Sequence, residues 1–177
     1  MLPKNRDMNT KLTALMGAAV LCFAMVADAK AVEIPAQIFG FTFGASKETQ
    51  RSQCKALKGT WDYQWDMCES PLLELGPECY NLRVSVGFDT AKAENGARHD
   101  RLWFRYLGPE DSGSSFHYCH NKWLEWAHDS FGEPSKKDKN DFWWFNQGFT
   151  ESVNINNGWW GSNSMWVWFS KTTPGTK

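Results

Sequence analysis

A chain of 177 residues with 42% hydrophobic and 22% charged residues is long enough to bury one sizeable core. Its formal net charge of −1 excludes a protein built around nucleic acid or an anionic membrane surface, both of which call for a strongly basic balance.

The first 29 residues have the layout of an export signal. Lys4, Arg6 and Lys11 precede an apolar run over residues 12–26, and the small-residue site Ala27-Asp28-Ala29 places the cut before Lys30. The run is short of the roughly 20 residues that a membrane span needs, and no later stretch is long and apolar enough to cross. Cys22 follows Ala19-Val20-Leu21, with a large Leu where a lipoprotein signal carries a small residue, so it is expected to leave with the leader. Met8 is an alternative start, since Lys11 alone would serve as the charged segment. What remains is a single domain over residues 30–177 in the periplasm or outside the cell.

A first helix is expected over residues 47–58, with Ser46 as N-cap and Gly59 in the left-handed position that closes it. Its apolar face is thin: Cys54 and Leu57 point inward with Gln50 and Gln53 between them. Strands are expected over residues 60–65, 82–88 and 101–106. A second helix spans residues 116–131, capped by Ser114 or Ser115 and ended by Gly132-Glu133-Pro134. At 100° per residue Phe116, Cys119, Trp123, Ala127 and Phe131 share one arc flanked by Leu124 and Trp126, while Asn121, Lys122, Glu125 and Asp129 lie opposite. Lys136-Lys137-Asp138-Lys139 reads as a solvated loop. Three more strands follow over residues 141–146, 149–155 and 165–170, with a hairpin signal at Asn156-Asn157-Gly158. Short connections between strands predict an α+β domain of two helix-plus-strand units, αβββαβββ, with the helices packed on one face of an antiparallel sheet.

Cys54, Cys68, Cys79 and Cys119 remain after the leader, an even number in a compartment where disulfides persist. Three pairings are possible and spacing alone does not choose among them. Cys54 with Cys68 and Cys79 with Cys119 is favoured because each bridge then ties a helix to a nearby strand or loop.

The segment Phe41-Thr42-Phe43-Gly44-Ala45-Ser46-Lys47-Glu48 sets an aromatic-Gly-x-Ser turn before the first helix, and Ser130-Phe131-Gly132-Glu133-Pro134 sets a stop after the second. Together they resemble the small exported proteins of the β-lactamase-inhibitor-protein-like and outer-membrane-assembly-lipoprotein-like superfamily. The tandem layout is closer to the inhibitor proteins, and that resemblance implies helices packed on antiparallel sheet and a concave sheet face that binds an enzyme.

Eight of the eleven tryptophans lie from Trp123 onward. In a strand, Trp166 and Trp168 share one face while Met165, Val167 and Phe169 share the other, and Trp143 and Phe145 likewise oppose Phe142 and Trp144. Both faces of the C-terminal strands are therefore aromatic, although only one lies beneath helices. The second face is either a recognition surface, including Trp143, Phe145, Trp159, Trp160, Trp166 and Trp168, or a further layer of core covered by loops or the N-terminal segment. Asn154, Asn156, Asn157, Ser162 and Asn163 would supply hydrogen bonds to a ligand or serve as turn residues.

His117 and His120 stand one turn apart and would share a metal only if a third ligand came from another element; no metal or cofactor is expected. Cys119 near a helix N-terminus would be an activated thiolate if it were not half of a disulfide. No Gly-x-Ser-x-Gly elbow, phosphate-cradling glycine loop or paired carboxylates at catalytic spacing are present. The reading that follows is an exported non-enzymatic binding protein whose aromatic sheet face engages a protein partner in the cell envelope, of inhibitor, immunity or assembly-accessory type. A carbohydrate or peptidoglycan binder that stacks Trp on sugars is the alternative, and a Cys119-dependent hydrolase a third. Tryptophan suits either kind of binding, combining large area with one hydrogen-bond donor.

Overall fold

The structure, a computed structural model, describes residues 32–73, 76–92, 96–108, 113–157 and 164–174. The expected export signal lies outside them, as do Trp159, Trp160, Gly158, Ser162 and Asn163.

A two-stranded ribbon, β1 (Gln37–Ile38) and β2 (Phe41–Thr42), precedes helix α1 (Lys47–Ala56). Four strands follow: β3 (Thr60–Asp62), β4 (Met67–Glu69), β5 (Arg83–Lys92) and β6 (Arg98–Leu107). Helix α2 (Gly113–Phe131) leads into β7 (Lys136–Asp138), β8 (Asp141–Phe145), β9 (Glu151–Asn157) and β10 (Ser164–Thr173). All eight strands after α1 form one antiparallel sheet in the order β3-β4-β5-β6-β10-β9-β8-β7. The last strands of the two units meet at its centre, where β6 and β10 pair over ten residues from Ser164↔Leu107 to Thr173↔Arg98.

Each helix is thus followed by four strands rather than the expected three. The additions are β4, only three residues long, and β7, whose Lys136, Lys137 and Asp138 are all exposed. An edge strand needs no apolar face, and charged side chains there block pairing with another chain, so the expected solvated loop is a solvated edge.

Ser46 caps α1 as expected, its hydroxyl accepting from the Thr49 N–H at 3.3 Å. At the other end the left-handed residue is Lys58 (φ 59°), not Gly59. Gly59 is required for a different reason: a Cβ there would lie 2.5 Å from Cys68 Sγ and 2.9 Å from Cys54 Sγ, so the disulfide occupies the space a side chain would take. Helix α2 begins at Gly113, upstream of the serines expected to cap it, and closes at Gly132 (φ 78°), whose N–H donates to His128 O at 2.8 Å.

Both disulfides join as favoured, Cys54 with Cys68 and Cys79 with Cys119, closing loops of 14 and 40 residues' separation. The predicted arc of α2 is the core seam: Phe116, Cys119, Trp123, Ala127 and Phe131 are all buried. The Trp123 ring is the hub, in edge contact with Phe39 and Trp126 at 5.5 Å and tilted against Phe104 at 5.7 Å. From the sheet, Val86, Phe104, Val153, Ile155, Val167 and Phe169 complete this layer. Burying a side chain of this size contributes roughly 1.5–3 kcal/mol each before the entropy of ordering it is subtracted.

Candidate docking face

The strand register sorts every side chain of the central sheet to one of two faces. Val86, Phe104, Val167, Ile155 and Phe142 are mutual partners across β5, β6, β10, β9 and β8, and all are buried beneath the helices. The neighbouring rows face away from the helices. One runs Gly87, Trp103, Trp168, Asn154, Trp143; the row beside it runs Ser85, Arg105, Trp166, Asn156, Asp141. A third pairs Arg101 with Ser170.

On this outer face Trp166 and Trp168 stack with ring centroids 5.1 Å apart and planes within 9°. Trp103 tilts against both, at 5.3 and 6.1 Å. The Arg105 guanidinium lies over the Trp166 ring at 5.0 Å and that of Arg101 over the Trp168 ring at 5.2 Å. The result is a cluster in which two stacked indoles each also carry a guanidinium over the ring, Arg105 at Trp166 and Arg101 at Trp168. Trp103 fits beside it because its strand partner on β5 is Gly87: a Cβ there would fall 1.9 Å from the Trp103 ring. Trp143, Trp103, Trp166 and Trp168 are all half-buried.

The described part of the N-terminal segment, an expected cover for these rings, lies on the other side. Ile34 donates its N–H to Glu151 Oε2 at 2.6 Å and accepts from Lys171 Nζ at 3.3 Å. Glu151 and Lys171 are register partners two residues along from Val153 and Phe169, which places them on the helix side of the sheet. Among the described residues, then, the outer tryptophans are packed by one another and by arginines rather than by an overlying segment.

The charges on this face are unevenly satisfied. Asp141 accepts from Asn154 and Asn156, and Glu69 from Ser85 Oγ at 2.8 Å. Among the described residues neither Arg101 nor Arg105 has a carboxylate within ion-pair distance. Arg105 Nε and Trp166 Nε1 are buried with no hydrogen-bond partner. A cleft of about 150 Å³ opens between Trp143 and Trp168, lined also by Arg101, Asn154 and Ser170.

Of the residues expected to form the surface, the structure places Trp143, Trp166 and Trp168 on the outer face, and Phe145 as well, in the row of Ser152, Ser170 and Arg101 with its ring stacked on Phe149 at 4.6 Å. Asn154 and Asn156 are both buried with their amides turned to Asp141, and of the two Asn154 lines the cleft. Trp103, Arg101 and Arg105 carry as much of the site as the C-terminal strand, and the alternation of Arg101, Trp103 and Arg105 with buried Leu102, Phe104 and Tyr106 is the signal that points to them.

The other candidates are accounted for by the core. Cys119 is bonded to Cys79, so it has no thiolate and the hydrolase reading loses its nucleophile. His120 is buried against the Phe142 ring at 5.6 Å, and burial, followed by the charge of His117, holds its pKa below the usual 6.5. His117 is exposed, its Nε2 3.4 Å from Asn121 Nδ2, and among the described residues no three His, Cys, Asp or Glu side chains converge as metal ligands. No helix among the described residues is long and apolar enough to cross a membrane.

Comparison with known proteins returns no match, whether to a family model, a curated protein or a solved structure.

Proposed function

We propose that this chain is an exported, non-enzymatic binding protein that docks a protein partner on the outer face of its eight-stranded sheet. One observation carries the reading: four tryptophans and two arginines, the residue types most often found at binding hot spots, are gathered on a sheet face from which the helices and the described N-terminal segment are both absent. A sheet that needs only one buried face ordinarily carries polar side chains on the other. The two disulfides accord with an oxidising compartment, and so with a periplasmic or secreted protein released by the leader over residues 1–29. The tandem helix-plus-strand units accord with membership of the β-lactamase-inhibitor-like superfamily, whose mode of binding through a sheet face is the one proposed.

The packing weighs against sugar stacking at Trp166 and Trp168, because these two rings already stack on each other and each carries a guanidinium. Trp143 favours the carbohydrate reading as a second possibility: it has no ring partner among the described residues and walls a cleft with Asn154 and Ser170. Pull-down from the native envelope with the mature protein tests the two. Docking predicts a defined partner lost on Trp166→Ala with Trp168→Ala; saturable quenching of tryptophan fluorescence by glycans, with no partner recovered, would replace docking by sugar binding.

A further inference from the structure

Resting on that docking reading, we propose that the cleft between Trp143 and Trp168 is a carboxylate-binding site, and that the partner docks with an acidic segment whose Glu or Asp side chain enters it.

The argument is one of charge and of unused donors. Arg101 and Ser170 are direct partners across β6 and β10 and both line the cleft. Among the described residues the Arg101 guanidinium forms no ion pair, and its contact with the Trp168 ring engages the positive charge without consuming its hydrogen-bond donors. A guanidinium presents a fork that matches a carboxylate, and packing on a ring pre-orders it, so less side-chain freedom is lost when the anion arrives. Arg105, two rows along the same face and beyond Trp103, adds a second positive charge with no ion pair among the described residues.

The carboxylates already on this face do not compete equally. Asp141 and Glu69 are taken by Asn154, Asn156 and Ser85. Asp89 is the β5 partner of Arg101 but forms no ion pair with it; it lies on the side of Arg101 away from β10 and opposes an incoming anion through space. Trp143 and Trp168 supply apolar walls for the methylene stem of a glutamate, and Asn154, whose amide nitrogen donates to Asp141 and to Phe142 O at 3.2 Å, presents its remaining oxygen as an acceptor for a backbone N–H of the partner. An acidic protein segment satisfies all of these, whereas a neutral glycan leaves both guanidiniums unpaired.

The test is a titration of the mature, oxidised protein, labelled with ¹⁵N, followed at its indole N–H resonances. The probes are an acetylated and amidated hexaglutamate, the matching hexaglutamine, and a chitin hexasaccharide. Hexaglutamate is expected to shift the Trp143 and Trp168 resonances saturably and to weaken with added salt. R101Q is expected to weaken it about tenfold, the scale of one charge-assisted hydrogen bond. D89N, which removes the opposing charge without touching the cleft, is expected to tighten it. Equal binding of hexaglutamine, an R101Q protein that binds as well as the parent, or no shift with hexaglutamate would overturn the carboxylate site while leaving the docking face to stand or fall by its own partner-loss test. Shifts with the hexasaccharide alone would overturn both.

Discussion

Replacing Gly87 with Ala sets one methyl group against the centre of the candidate face. The ideal Cβ lies 1.9, 2.2 and 2.5 Å from three carbons of the Trp103 ring. Carbon atoms come to rest at about 3.5–4.0 Å, so the ring must retreat by roughly 1.5–2 Å. Trp166 and Trp168, at 5.3 and 6.1 Å, block movement within the cluster and leave the ring only the route outward. Overpacking of this kind costs about 1–3 kcal/mol, and weakening two aromatic contacts adds about 0.5–1.5 kcal/mol for each that is fully lost. Against this, Gly→Ala lowers the entropy of the unfolded chain and returns about 0.4–1 kcal/mol, since Gly87 is not among the positive-φ residues. The net expectation is a loss of about 1–3 kcal/mol in urea denaturation, together with displaced indole resonances for Trp103, Trp166 and Trp168. Gly148→Ala is the control: its Cβ would meet nothing closer than Thr150 Cγ2 at 3.6 Å, an ordinary contact. A Gly87→Ala protein as stable as the parent, with its indole resonances unmoved, would refute the packing described for Trp103.

Arg105→Met keeps an apolar stem over Trp166 and removes the cation, so denaturation should show a loss of about 0.5–2 kcal/mol. Replacing Cys79 and Cys119 by Ala opens the longer loop and should cost about 4 kcal/mol on the chain-entropy account, against about 3 kcal/mol for Cys54 and Cys68; thermal melts of the two double variants rank them. His120 titrates below 6.5 in the folded protein because burial disfavours its charged form, with the charge of His117 adding to the effect. Below pH 6.5 the unfolded chain therefore binds a proton that the folded chain refuses, and stability falls as the pH drops from about 6.5 toward the lowered folded value, while above 6.5 it is flat with respect to this group. His120→Gln should flatten that slope in urea titrations run across the range.

The second helix was legible because its signal is redundant: five apolar residues repeat on one arc, and a Gly-x-Pro stop follows. The C-terminal strand was legible for the same reason, its alternation fixing Met165, Val167 and Phe169 inside and Trp166 and Trp168 outside. Strands β4 and β7 were not, since three residues carry no period and an edge strand of Lys, Lys and Asp has no apolar face to reveal it. A glycine after a helix ordinarily serves the backbone, and the sequence around Gly59 shows nothing else; that a disulfide occupies its Cβ space depends on two cysteines meeting in three dimensions. Half of the candidate face went unseen for a related reason. The alternation in β6 marks Trp103 as outward, but that it meets Trp166 and Trp168, 63 and 65 residues further along the chain, follows from β6 pairing with β10 across the junction of the two units. Neighbour relations between the ends of two repeats leave no local trace.

Hydroxyl-radical footprinting of the oxidised mature protein, read by mass spectrometry at single tryptophans, tests whether the outer face is open. Trp123 and Trp144, both fully buried, set the protected baseline. Trp103, Trp143 and Trp168 should be oxidised well above that baseline and return toward it when partner is added. Oxidation of those three no faster than Trp123 in the isolated protein would mean that the face is sealed and that no partner docks there.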